Sequence, residues 1–92
     1  MTVTEAVHLF VHGQVQGVGY RAFASSLARR MHISGWVRNL ADGDVEIVAE
    51  ADLPTIEIFI ERLEAGNGYS RVDSITRSII RSSGYASFEI EH

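Results

Sequence analysis

The sequence predicts an α+β fold in which two helices cover one face of an antiparallel sheet. Stretches with an apolar residue at every second position, typical of strands, begin at Val7 and Val45. Two longer stretches have apolar residues every three or four positions, which is typical of amphipathic helices. Asp42 and Gly43 form a hairpin signal between two strand-like stretches. The predicted order is therefore β-α-β-β-α-β with a short additional strand at the C-terminus, the split β-α-β arrangement.

The first half of the chain predicts a strand, a helix and a hairpin. In 7–12, aliphatic residues alternate with histidines and a phenylalanine, as in a strand with one face on a core. In 21–31, large apolar residues recur every four positions, so one face of a helix is apolar. Residues 33–41 and 45–50 predict two strands that pair in an antiparallel manner across the Asp42–Gly43 turn.

The second half predicts a second helix and two more strands. Asp52 and Pro54 are typical of a helix start, and Gly66 is a typical stop. Residues 72–81 are rich in β-branched residues and predict a fourth strand. After a serine- and glycine-containing turn, residues 88–90 predict a short final strand.

Length and composition limit the classes of protein that fit. The 92 residues, 46% apolar and 22% charged, predict a single globular domain over 1–92. There is no cysteine, which excludes disulfides and thiolate chemistry and fits a reducing cytoplasm. The chain lacks a stretch of about 18 apolar residues, and its N-terminus does not resemble a signal peptide. We expect a cytoplasmic protein without a membrane partner.

The charged residues narrow the candidate chemistry further. A net charge of −4 argues against a nucleic-acid partner bound by attraction to its phosphates. All eight basic residues are arginines, so Schiff-base chemistry by lysine is excluded. Guanidinium groups are then the strong cationic ligands available for a phosphate.

The stretch 13–21, G-Q-V-Q-G-V-G-Y-R, predicts an anion-binding loop. Gly13, Gly17 and Gly19 let the backbone direct its N–H groups at one concave point. The helix that begins near Arg21 would direct its unpaired N–H groups and its dipole at the same point. The Arg21 guanidinium could hold two phosphate oxygens at once. Taken alone, a glycine-rich loop before a helix is more often simply a tight turn.

Other candidate sites have simpler interpretations. His8 and His12 share a strand face but would lie roughly 13 Å apart, too far to bind one metal ion. We interpret them as surface or partly buried sheet residues, and we expect no metal site. Trp36, Phe10 and Phe88 could form a stacking platform for nucleic acid on the open sheet face. The negative charge favours packing for these rings instead.

Three sequence blocks together resemble the acylphosphatase family over nearly the whole chain. They are 13–21, then G-W-V-R-N at 35–39, then D-G-D-V-E at 42–46. The resemblance implies a ferredoxin-like fold and the hydrolysis of small acyl phosphates to a carboxylate and phosphate, without a metal or cofactor. It also implies that Arg21 binds the phosphoryl group and that Asn39 positions the attacking water.

The resemblance assigns phosphate binding to the loop backbone. The residues expected to contribute are Gln14, Val15, Gln16, Gly17, Val18, Gly19, Tyr20 and Arg21. Inorganic phosphate or sulfate should inhibit, and we expect a monomer. Three features depart from the family pattern: Tyr20 replaces a usual Phe, His32 replaces a common Gly, and 66–70 replaces a Gly-Pro-Pro-like turn.

Two alternatives remain open beside a free-standing hydrolase. Domains similar to acylphosphatase also occur as the carbamoyl-phosphate-handling part of hydrogenase-maturation proteins. Those domains begin long chains, whereas this sequence ends at His92, which favours the free-standing enzyme. The other alternative is an anion-binding module without catalytic activity.

Overall fold

A computed structural model describes residues 3–92. The elements, in chain order, are β1 (Glu5–Gln14), α1 (Tyr20–Arg30), β2 (Ser34–Asn39), β3 (Val45–Ala51), α2 (Leu53–Ala65), β4 (Arg71–Ile80) and β5 (Phe88–Ile90). The predicted order of elements is confirmed. The second strand ends earlier than predicted, because Leu40 begins a turn in which its N–H donates to the carbonyl of Asp44.

The five strands form one mixed sheet in the order β4-β1-β3-β2-β5. The pairs β1–β3, β1–β4 and β2–β3 are antiparallel, as predicted, but β5 lies parallel to β2. The expectation of a wholly antiparallel sheet is therefore wrong at this edge. Since β4 ends at the end of the sheet where β2 begins, a chain that crosses there must enter β5 in the direction of β2.

The core lies between the sheet and the two helices. Alternate residues of β1, namely Val7, Leu9 and Val11, are buried on this side. The helices contribute Ala24, Leu27, Ala28, Ile56, Phe59, Ile60 and Leu63. Phe88 is also in this core, with its ring centroid 6.4 Å from that of Phe59. Because Phe88 pairs with Gly35 and not with Trp36, it cannot join a platform of rings on the opposite face.

The opposite face of the sheet carries paired charges. The buried Glu46 carboxylate lies 2.6 Å from His8 Nε2 and accepts a 2.6 Å hydrogen bond from Arg38 Nε. Burial works to raise the pKa of Glu46, but the bonds from Arg38 and His8 outweigh it and the pKa lies below its usual value. His12 Nδ1 lies 2.9 Å from Asp44 Oδ2. Across 3–92, no three potential ligands cluster to hold a metal ion.

The two helices end differently. At α2, the Asp52 side chain accepts a 2.9 Å hydrogen bond from the Thr55 N–H, and Gly66 ends the helix with φ 78°. At α1, Gly19 begins the helix and offers no side chain, and His32 follows the last turn with φ 58°. Neither helix is long and apolar enough to cross a membrane within the described chain.

Candidate active site

A hollow of about 220 Å³ lies at the N-terminal end of α1. Its walls come from the loop after β1, the first turn of α1, the end of β2 and the residues around β5. The lining residues are Val15, Gly17, Gly19, Tyr20, Arg21, Ala22, Asn39, Ile90 and His92. This set from the described chain contains one arginine and no acidic side chain. An anion in the hollow therefore meets positive charge although the chain as a whole is negative.

The loop between β1 and α1 bends around the hollow. Gly17 and Gly19 have φ values of 75° and 77°, a region that favours glycine. Both line the hollow, whereas Gln16 and Val18 do not. Successive residues of the loop thus alternate between facing the hollow and facing the surrounding protein.

The N-terminus of α1 supplies free backbone donors. The first bond that closes the helix runs from the Phe23 N–H to the Gly19 carbonyl, at 3.0 Å. The N–H groups of Tyr20, Arg21 and Ala22 therefore have no acceptor within the helix. Within the described chain, this helix start has no side-chain cap and no acidic residue in its first turn. Donors and the positive end of the dipole are left for a ligand.

Arg21 lines the hollow without a carboxylate partner among residues 3–92. The contact of its guanidinium is a long one, from an Nη to the Glu91 carbonyl at 3.5 Å. Four other arginines lie in ion pairs with carboxylates: Arg29, Arg38, Arg71 and Arg77. The charge of Arg21 is thus available to a bound anion.

Asn39 lies at the end of β2 and faces the hollow. Its Oδ1 is buried, and in the described part of the chain it is the one buried side-chain nitrogen or oxygen atom without a hydrogen-bond partner. Buried polar atoms of this kind are rare because each loses its bonds to water. Because Asn39 lines the hollow, rotation of its carboxamide would bring this acceptor to a water molecule bound there.

Gln16 connects the loop to the turn that follows Asn39. Its Nε2 donates to the carbonyls of Leu40 and Asp44 at 2.7 and 2.8 Å. Both hydrogens of the amide are used, so the side chain is directed away from the hollow. The loop and the strand end that carries Asn39 are thereby held together.

The Tyr20 hydroxyl, which a phenylalanine would lack, has a hydrogen-bond partner on α2. Tyr20 is buried and donates a 2.8 Å hydrogen bond to the Leu63 carbonyl. Burial, with a contribution from the Glu64 carboxylate, raises the pKa of Tyr20. The hydroxyl is therefore a structural donor and not an acid for catalysis.

The structure brings most of the predicted site residues together. Val15, Gly17, Gly19, Tyr20, Arg21 and Asn39 line the same hollow. Gln14 does not, because it is the last residue of β1 and pairs with Arg71. Gln16 and Val18 belong to the loop but face away from the hollow. Sequence reasoning missed Ala22, Ile90 and His92; for the last two, no local pattern shows that the C-terminal segment returns to the loop after β1.

The fold and this hollow define an α+β protein with a candidate anion site at an uncapped helix N-terminus. The chain belongs to the acylphosphatase family: the family model described as Acylphosphatase matches residues 7–90. The activity that gives this family its name is the hydrolysis of acyl phosphates.

Similar proteins agree with this placement. A protein named acylphosphatase from Treponema denticola is 46% identical over 94% of this chain and 92% of its own length. The crystal structure of acylphosphatase from Bacillus subtilis has a TM-score of 0.92, with 36% identity over 96% of this chain and 99% of that one. The crystal structure of HypF from T. kodakarensis has a TM-score of 0.84 and 36% identity, over 96% of this chain but 12% of that one.

Proposed function

We propose that this hollow binds the phosphoryl group of a small acyl phosphate and directs water at its phosphorus. The proposal rests on one observation: two side chains that lack partners line the same hollow. Arg21 has no carboxylate partner in the described chain, and the buried Oδ1 of Asn39 has no hydrogen-bond partner there. Arg21 can bind an anion, and rotation of the Asn39 carboxamide would bring its oxygen into the hollow to bind the water.

Charge on the non-bridging oxygens is stabilised by donors that are already in place. The first-turn N–H groups of α1 and the Arg21 guanidinium converge on the hollow. Because these donors need not reorganise during the reaction, they stabilise charge more effectively than water would. Phosphoryl transfer depends mainly on such positioning and electrostatics.

The leaving group explains why the hollow needs no proton donor. Water attacks phosphorus, the bond from phosphorus to the acyl oxygen breaks, and a carboxylate departs. Model carboxylic acids have a pKa near 4, so this group leaves unprotonated. The Tyr20 hydroxyl, occupied by the Leu63 carbonyl, is not required as an acid. An ordinary phosphate ester, with an alkoxide leaving group, should react poorly here.

Asn39 orients the water but does not deprotonate it. A carboxamide oxygen accepts a hydrogen bond and is far too weak a base to remove a proton from water. Once the carboxamide has rotated into the hollow, Oδ1 can accept one O–H of the water, which directs an oxygen lone pair at the phosphorus. A phosphate oxygen of the substrate then receives the proton. No step involves a metal ion or cofactor, so activity should persist in a chelator.

The test is benzoyl phosphate hydrolysis in the presence of a chelator. Wild-type protein should turn over, and Arg21→Ala and Asn39→Ala should each lower kcat/KM by about 10²- to 10³-fold, as loss of one preorganised donor does in other enzymes. Arg21→Lys should recover part of the loss, because it keeps the charge but not the planar fork.

Arg30→Ala is the matched control for Arg21. Arg30 is an exposed arginine on the same helix, bonded to the carbonyl of Ser26 one turn away. It should keep wild-type activity. Wild-type protein without turnover above buffer would refute the hydrolase, and active Arg21→Ala and Asn39→Ala variants would refute the two roles.

One alternative is a site that handles carbamoyl phosphate, as the domains similar to acylphosphatase in hydrogenase-maturation proteins do. Acetyl, benzoyl and carbamoyl phosphate present the same phosphoryl group to the hollow and differ in the acyl group. Comparison of kcat/KM over these three substrates distinguishes the alternatives. Binding of phosphate without turnover of any of them would indicate an anion-binding module.

We further propose that the protein acts as a monomer in the cytoplasm and that phosphate and sulfate compete with substrate. The absence of cysteine supports a reducing compartment, and the lining of the hollow supports inhibition by these anions. Sedimentation, cell fractionation and inhibition kinetics test the three statements in turn.

A further inference from the structure

The loop around the hollow has a second attachment, to the segment between α2 and β4. Asn67 lies in this segment, and its Nδ2 donates a 2.9 Å hydrogen bond to the Val18 carbonyl, 49 residues away in sequence. The two segments are neighbours because Gln14, just before the loop, pairs with Arg71, just after the segment. The hydrogen bond from Asn67 also involves one of the positions, 66–70, at which the sequence departs from the family pattern.

The side chain of Asn67 is itself held in place. Its Oδ1 accepts hydrogen bonds from the N–H groups of Tyr69 and Ser70, both at 3.0 Å. The Asn67 N–H in turn donates to Ser70 Oγ at 3.2 Å. An amide fixed in this way at its oxygen has little freedom at its nitrogen, so Nδ2 is directed at Val18.

The bond to the Val18 carbonyl sets the direction of the next N–H. A peptide group is planar and trans, so the Val18 carbonyl and the Gly19 N–H point in opposite directions. Gly19 lines the hollow and Val18 does not. A carbonyl held on the Asn67 side therefore keeps the Gly19 N–H on the side of the hollow.

Without this bond, little in the loop would fix that peptide group. Gly19 has φ 77°, and a Cβ at this position would find Asn67 Nδ2, at 3.8 Å, as its nearest neighbour. Glycine explores other backbone angles easily where packing does not restrain it. Rotation of the group would turn a carbonyl oxygen toward the bound anion.

We propose that Asn67 is a positioning residue that holds the Gly19 N–H toward the phosphoryl group. The inference rests on the proposed function of the hollow. Asn67 touches neither substrate nor water and acts through the Val18–Gly19 peptide group. The same end of α2 also binds the Tyr20 hydroxyl through the Leu63 carbonyl, so two departures from the family pattern, Tyr20 and Asn67, brace the hollow from one side.

Asn67→Asp is the variant that separates positioning from folding of the 66–70 segment. An aspartate retains the oxygen that accepts from Tyr69 and Ser70, but it replaces the donor at Val18 with a second acceptor. At pH 7 we expect KM for benzoyl phosphate and the inhibition constant of inorganic phosphate to rise together by about tenfold, the size expected for one hydrogen bond to a charged group. The Gly19 N–H serves substrate and product alike, so kcat should change much less.

Acidification provides a readout that a structural role would not move. A protonated aspartic acid regains an O–H donor for the Val18 carbonyl. The defect of Asn67→Asp should therefore shrink as pH falls toward 4, near the usual carboxyl pKa, whereas that of Asn67→Ala should not. Ser70→Ala, which loses only the bond to the Asn67 N–H, is the control and should stay within about twofold of wild type.

The outcomes distinguish this inference from the proposed function. Wild-type turnover with Asn67→Asp equal to wild type overturns the role of Asn67 alone. An equal loss in Ser70→Ala, or a loss in Asn67→Asp that acid does not relieve, assigns the effect to the fold of the segment and also overturns it. If wild-type protein neither turns over nor binds phosphate in a calorimetric titration, both the proposed function and this inference fail.

Discussion

The two helices of this small protein pack against the same core, but their ends are capped in different ways. The N-terminus of α2 is closed by its own Asp52, and its C-terminus ends on Gly66 with φ 78°. The N-terminus of α1 begins on Gly19, which has no side chain to cap it, and its C-terminus turns through His32 at φ 58°. Helix α2 thus satisfies its own ends by the usual means, while α1 leaves donors unsatisfied at one end and carries backbone strain at the other.

This difference in capping indicates at which helix N-terminus an anion would bind. A helix N-terminus attracts a negative group, which can be a side chain or a ligand. At α2 the position is taken by the Asp52 carboxylate, and at α1 it borders the hollow that Arg21 also lines. The missing cap at α1 fits the phosphate site that we propose there.

The largest expected effect comes from a carboxylate placed at the start of α1. At Gly19, aspartate and asparagine are among the residues that tolerate the left-handed conformation, and a Cβ there meets no atom closer than 3.8 Å. Gly19→Asp should lower kcat/KM for benzoyl phosphate at least 10²-fold, because its charge competes with the phosphoryl group for the same donors.

Gly19→Asn has the same shape without the charge and serves as the matched comparison. It should lose much less activity than Gly19→Asp. Equal activity in the two variants would mean that the charge at the start of α1 is irrelevant to substrate.

A smaller effect is expected from bound phosphate on stability. Phosphate at 100 times its dissociation constant should stabilise the wild-type protein by about 2.7 kcal/mol. For a domain of this size, Tm should rise by roughly 4 to 8 °C per kcal/mol. Arg21→Ala should lose most of this shift and Arg30→Ala should keep it, as differential scanning calorimetry can measure. A full rise of Tm with phosphate in Arg21→Ala would show that Arg21 does not contribute to phosphate binding.

The cap of α2 should affect stability and leave turnover intact. Hydrogen bonds donated by Thr55 lower the pKa of the Asp52 carboxyl. Because this pKa is lower in the folded state than in the unfolded state, the carboxylate stabilises the folded state at a pH above its unfolded-state pKa. That stabilisation is lost as the pH falls through the folded-state pKa. Asp52→Ala should lower Tm at pH 7, and the gap to wild type should narrow below about pH 4.

Glu61→Ala removes an exposed carboxylate within α2 and should show no such pH-dependent gap. Asp52→Ala should also retain the response of Tm to phosphate. Loss of that response would contradict the division of roles between the two helix starts.

The smallest effect is expected at the other end of α1. The His32 N–H donates to the Arg29 carbonyl and the Ile33 N–H to the Ala28 carbonyl, the two bonds of a Schellman ending. A left-handed residue other than glycine costs about 1 to 2 kcal/mol, and glycine costs about 0.5 to 1 in chain entropy. His32→Gly should therefore stabilise the protein by about 0.5 kcal/mol in urea unfolding, and a destabilised variant would be contrary to the account.

The features visible in the sequence are those that depend on neighbouring residues. Alternation near Val7 and the signals at Asp52 and Gly66 depend on nearby residues, and they locate the elements closely. The parallel pairing of β5 and the bond from Asn67 to Val18 join residues far apart in sequence. Neither has a local signature, because any carbonyl can accept from an asparagine and any strand can pair at an open edge.

The candidate site likewise has features that the sequence predicts and features that it does not. The glycines and Arg21 lie within one short stretch, so the anion loop was predictable from its own residues. That Gln16 and Val18 face away from the hollow was not, because their partners come from other elements. Asn39 was assigned through family resemblance, and its unsatisfied Oδ1 became visible only once its surroundings were known.

The most direct measurement is a ¹H–¹⁵N NMR titration of the wild-type protein with inorganic phosphate. If the uncapped start of α1 is the phosphate site, the amides of Gly19, Arg21 and Ala22 should shift and saturate together, while those in the first turn of α2 at Leu53 and Thr55 should not move. An absence of saturable shifts at α1, or shifts of equal size at both helix starts, would contradict the account.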